Sequence, residues 1–150
     1  MIQRIQSVYL LVVTILLIVC MCTPVGAYIA EDYSVSKFTN LCIVSADGVK
    51  DYAPWAMFVI LVVAALLSFT TIFMFKKRML QIRMTIFSTI LLVGYYATLI
   101  TFIFMLKDDS MTFSASWTLC LPFVAIIVNW LAIRAIGKDE VLVKAYDRLR

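Results

Sequence analysis

The sequence contains no histidine among its 150 residues. Imidazole metal ligands, histidine general bases and Ser-His or Cys-His dyads are therefore excluded. Charge is scarce too: Asp, Glu, Lys and Arg make up 15% of the chain, where soluble domains carry about 25%. Four glycines and three prolines supply no glycine-rich phosphate loop and few helix breaks. What remains is apolar, 64% of residues, more than so small a globule can hide from water. The solvent for that surface has to be lipid.

Uncharged stretches run Ile5–Ala30, Tyr52–Phe75, Met84–Leu106 and Ser110–Ile133. Each reaches the ~20 residues that cross a ~30 Å hydrocarbon core as a helix. Apolar residues fill every face, as in Ile60–Leu67, so an alternating barrel strand is excluded. The expected fold is an all-α membrane protein, one domain over 1–150, with helices at about 7–24, 53–75, 84–106 and 116–136. Pro24 ends the first helix, Pro54 fits the first turn of the second, and Trp55 and Trp117 are interfacial anchors. The short link between helices two and three implies an up-down-up-down bundle.

Ten of the thirteen basic residues fall on one side: Arg4, then Lys76, Lys77, Arg78 and Arg83, then five from Arg134 to Arg150. Lys37, Lys50 and Lys107 fall on the other. The positive-inside rule places both termini in the cytoplasm and the loop 25–52 outside. Val25-Gly26-Ala27 after the first apolar run resembles a signal-peptidase site, but the run exceeds a usual signal core, and an intact N-terminus is expected.

The outer loop reads as a lid holding a short hairpin, Leu41–Val44 against Val49–Tyr52 around Asp47-Gly48. The tail 137–150 places Val141, Leu142, Ala145, Tyr146 and Leu149 on one helical face, with Glu140 and Lys144 as an i,i+4 pair. An amphipathic continuation of helix four at the cytoplasmic surface is expected.

Helices one to three carry no charge between their ends, which argues against a proton-coupled carrier. Asn129 and the hydroxyls of Thr14, Ser68 and Ser88 are expected to bond between helices or to their own backbone. The same reading applies to Thr70, Thr71, Thr98 and Thr101. Ala64–Ser68 and Gly94–Thr98 read as close-packing pairs, and at least one of Tyr95 and Tyr96 needs a hydroxyl partner inside the bundle. Cys20, Cys22, Cys42 and Cys120 all lie towards the outer side, where disulfides are permitted, but Cys20 and Cys22 point about 200° apart on a helix. They are expected to be small hydrophobes rather than a redox pair.

The opening Met-Ile-Gln-Arg-Ile-Gln-Ser-Val-Tyr-Leu-Leu and the inner loop Phe75-Lys-Lys-Arg-Met-Leu-Gln-Ile-Arg83 resemble a family of small four-helix membrane proteins from Bacteroidota-type bacteria, called domain of unknown function 4293. The resemblance implies an inner-membrane location and an intact N-terminus, and supplies no activity. It singles out Gln3–Gln6 and Lys76–Arg83 as a shared basic, amide-bearing inner face.

The expected protein is a multi-pass inner-membrane accessory or scaffold, not an enzyme, with no catalytic, cofactor-binding or metal residue and no cofactor assigned. Its expected partners are membrane lipids and another membrane protein or a second copy, not nucleic acid. Two alternatives stand beside it: a quinone-linked thiol oxidoreductase using the outer cysteines, and a passive channel or carrier for a small neutral solute lined by Thr70, Thr71, Thr98, Thr101 and Asn129.

Overall fold

Four long helices carry most of the chain in the computed structural model, which describes residues 2–74, 77–106 and 111–148. They are α1 (Ile2–Cys22), α2 (Trp55–Phe73), α3 (Arg78–Leu106) and α4 (Cys120–Arg148), and all four are long and apolar enough to cross a membrane. The chain is a multi-pass membrane protein.

Each helix buries one narrow stripe whose members alternate four and three residues apart. On α1 it is Gln6, Leu10, Val13, Leu17 and Cys20, and on α2 Met57, Leu61, Ala64, Ser68 and Thr71. On α3 it runs Gln81, Thr85, Ser88, Leu92, Tyr95 and Leu99, and on α4 Ala125, Asn129, Ala132, Ile136 and Asp139. That 3.5-residue repeat keeps a seam facing its neighbours along the whole helix. α1 packs on α2 and α4, and α3 packs on the same two. The opposite faces leave large apolar side chains such as Leu11, Phe69, Ile90 and Trp130 about half exposed, as lipid contact requires. Ala64 and Ser68 form part of the seam, but an added Cβ at Gly94 would meet nothing, so Gly94–Thr98 is not a close approach of helices.

Three boundaries move from their expected places. α1 begins at Ile2 rather than near 7 and α3 at Arg78 rather than near 84, while α4 runs unbroken to Arg148, the helical continuation expected of the tail. Interfacial charge ends a hydrophobic span without ending a helix, and neither Met79–Arg83 nor Lys138–Ala145 contains a Gly or Pro to break one. α4 proper starts at Cys120, after a 3₁₀ turn at Trp117–Leu119. Lys76, the Lys107-Asp108-Asp109 stop, Leu149 and Arg150 lie outside the described residues, as do the side chains of Ile2, Gln3, Arg4, Tyr146, Asp147 and Arg148.

The all-α expectation needs correcting at one end of the helices. Instead of a lid with one hairpin there is a five-stranded antiparallel sheet in the order β4-β3-β2-β1-β5. The strands are β1 (Pro24–Ala30), β2 (Val35–Thr39), β3 (Ile43–Val44), β4 (Lys50–Asp51) and β5 (Met111–Ala115). The expected hairpin exists as β3 and β4, turning at Gly48 with φ 79°. β5 comes from the α3–α4 connection and pairs with β1 from Gly26↔Ala115 to Ala30↔Met111. The stretch Val25-Gly26-Ala27 thus lies within β1, with Gly26 and Ala27 paired on both sides after an irregularity at Val25.

At the β1–β2 turn the Asp32 carboxylate accepts the Ser34 hydroxyl at 2.7 Å and the Ser34 N–H at 3.2 Å, which holds its pKa below the usual value. The buried side of the sheet carries an aromatic cluster of Tyr28, Phe38 and Phe113, with ring centroids 5.0–6.2 Å apart. Gly26 lets Phe113 close in: a Cβ there would lie 2.7 Å from the Phe113 ring and from the Ser114 carbonyl oxygen. Because β1 follows α1 while β5 joins α3 to α4, the sheet gathers the α1 and α3 C-termini and the α2 and α4 N-termini at one end, the sheet end.

Candidate functional site

Polar side chains inside the bundle occur at three heights. At the sheet end the β2–β3 turn drives Asn40 into the helices, where it is fully buried. Its amide donates to the Cys20 carbonyl at 2.7 Å, and its oxygen accepts the Tyr95 hydroxyl at 2.7 Å. One asparagine thereby caps the C-terminus of α1, whose last carbonyls have no helical donor, and ties α1 to α3. Tyr96 donates to the Leu119 carbonyl and Thr118 to the Pro24 carbonyl, at 2.6 Å for the latter. Both tyrosines thus find the partners their burial demands.

The four cysteines cluster at this end as free thiols. Cys20 is buried while Cys22, two residues on, is exposed; Cys42 is half-buried beside Thr39, and Cys120 is exposed. The opposed directions of Cys20 and Cys22 match the helical geometry expected of them.

At mid-height the Ser68 and Ser88 hydroxyls lie 3.3 Å apart. Since Arg78 meets Asp139, ten residues along α3 and ten back along α4, at ~1.5 Å each, bring Ser88 and Asn129 to the same level. Asn129 is fully buried, and neither its amide nitrogen nor its oxygen has a hydrogen-bond partner. The interhelical bond expected of Asn129 is therefore not made. Thr70, Thr71, Thr98 and Thr101 bond back to carbonyls of their own helices, with Thr70 and Thr101 exposed on the outer surface of the bundle.

The third height, at the end opposite the sheet, draws together the two family-like stretches. Asp139 is 8% exposed and sits between them. From α3, Arg78 reaches its carboxylate at 3.2 Å and its backbone carbonyl at 3.2 Å. From α1, Gln6 donates to the same carboxylate at 3.4 Å and to the Ala135 carbonyl at 3.3 Å. Gln81 is buried one turn further along α3. This three-helix junction was not legible in the sequence, where Asp139 counted only as a tail residue.

Beside the junction opens a cavity of about 760 Å³ between the start of α3 and the last turns of α4. Lys77, Arg78, Arg83 and Lys144 line it, with Glu140 as the one carboxylate among the described side chains. Glu140 is held by Lys144 at 2.8 Å, the i,i+4 pair expected from the sequence. Met79, Leu80 and Val143 supply an apolar wall. No group of three or more potential metal ligands occurs among the described residues. The lining thus sets cationic side chains beside an apolar surface.

The sequence matches the family described as Domain of unknown function (DUF4293) over residues 2–149, and the chain belongs to that family. No curated protein matches it.

Proposed function

We propose that the protein is a non-enzymatic scaffold of the bacterial inner membrane: an up-down-up-down four-helix bundle with both termini inside, presenting its sheet on the outer side. The basic residues gathered at the end opposite the sheet support this orientation. The observation that carries the reading is the sheet itself. It is assembled from two loops separated in sequence by α2 and α3 and pinned to the bundle by buried Asn40. β5 lies at its edge, leaving one side of a five-residue strand open among the described residues. An open edge on a fixed base accepts a strand from a partner membrane protein or a second copy.

A photo-cross-linker placed at exposed Thr112 or Ser114 in native membranes tests this reading. A discrete cross-linked species is expected from β5 and not from lipid-facing Ile90. Recovery of the monomer alone from all three positions overturns the scaffold. A native disulfide among the four cysteines together with bound quinone favours thiol oxidation in its place.

A further inference from the structure

We infer that the cavity between the start of α3 and the last turns of α4 is a binding site for the phosphodiester headgroup of an anionic phospholipid. It rests on the cytoplasmic placement of this end of the bundle, and not on the scaffold role.

Three features converge there. The first is charge: of the four cations that line the cavity, Arg78 is paired with Asp139 and Lys144 with Glu140. Lys77 and Arg83 have no carboxylate partner among the described residues, and both are exposed to the cavity mouth. An unneutralised pair of cations converging on one concavity is an anion site. The second is the backbone. α3 starts at Arg78, so the positive end of its dipole lies at the end of the helix that lines the cavity. The third distinguishes a lipid from a free phosphate. Met79, Leu80 and Val143 form a wall on the same cavity, with Met79 49% and Val143 42% exposed. Side chains of that kind at the level where the hydrocarbon begins have acyl chains as their natural solvent. The volume, about 760 Å³, suits a headgroup with its glycerol and first methylenes.

On the other side of α4 a shallower hollow, lined by Arg134 and Lys138 with Val141 and Leu142, provides an internal control. There Arg134 is already stacked over the Trp130 ring at 4.5 Å.

The test uses the full chain purified in neutral detergent and titrated with phosphatidylglycerol or phosphatidylcholine, bound lipid being counted by native mass spectrometry. Saturable retention of one phosphatidylglycerol is expected, with phosphatidylcholine held at least on the order of tenfold more weakly. The double variant Lys77→Gln/Arg83→Gln should lose that preference. Arg134→Gln/Lys138→Gln, which removes the same charge from the other face, should keep it. Equal losses in the two double variants would reduce the effect to general surface charge and overturn the site. Displacement of the lipid by inorganic phosphate would overturn the lipid as occupant. A Lys77→Gln/Arg83→Gln chain that no longer retains the lipid but still cross-links through β5 supports this site and leaves the scaffold reading standing. Full retention by that variant overturns this site alone.

Discussion

Replacing Asn40 by alanine removes the peg that joins the sheet to the helices. The side chain is fully buried and makes two hydrogen bonds of 2.7 Å, to the Cys20 carbonyl and from the Tyr95 hydroxyl. Truncation strands both groups where water cannot reach them. An unsatisfied buried polar group costs about 1–3 kcal/mol, so two give roughly 2–6 kcal/mol. The Thr23 hydroxyl, 3.4 Å from the same Cys20 carbonyl, offsets part of the first loss, which puts the expected value in the middle of that range. The measurement is equilibrium unfolding in mixed micelles followed by tryptophan fluorescence. Tyr95→Phe, which strands the Asn40 oxygen alone, should cost about half as much, roughly 1–3 kcal/mol. The Asn40→Ala/Tyr95→Phe double variant should then fall short of the sum by about 0.5–3 kcal/mol, because the shared bond is counted in both single changes. An Asn40→Ala chain within about 0.5 kcal/mol of the native one, or strictly additive effects, would refute the idea that this residue ties α1 to α3.

Two further outcomes follow from groups that the fold buries without partners. Asn129→Leu, close to isosteric, removes an unpaired carboxamide from the centre of the bundle and should raise stability by roughly 1–3 kcal/mol in the same assay; a loss of stability refutes the unpaired state. The Tyr28 hydroxyl is likewise unpartnered, and burial raises its pKa above the ordinary value of 10.0. A group whose folded pKa is raised stabilises fully below the unfolded value and loses that contribution as pH rises through the folded one. The native chain should therefore lose stability above about pH 10 by an amount that Tyr28→Phe does not lose. Identical alkaline losses in the two chains, measured between pH 9 and 11, count against it.

The helices were legible because their signal is local and long: four uncharged stretches, each sufficient to span a bilayer, survive any uncertainty about single residues. The 3.5-residue seams were not, since almost every position is apolar and polarity does not separate the lipid face from the packed face. The sheet was half legible. Gly48 marked the β3–β4 turn by its own backbone requirement, but β5 joins β1 across more than eighty residues, and nothing in Met111–Ala115 alone announces that pairing.

The same division between local and distant partners governs the charged end. Glu140 and Lys144 lie one helical turn apart, and their pairing could be read directly from spacing. Arg78 and Asp139 are sixty-one positions apart, and Arg78 in isolation is indistinguishable from an interfacial anchor. What separates an anchor from a ligand-binding cation is whether a carboxylate on another helix stands at its height. Asp139 does so for Arg78, while among the described residues none does so for Lys77 or Arg83. The basic loop is therefore divided: one arginine is used in holding α1, α3 and α4 together, and the cations on either side of it are the ones that the proposed headgroup site uses.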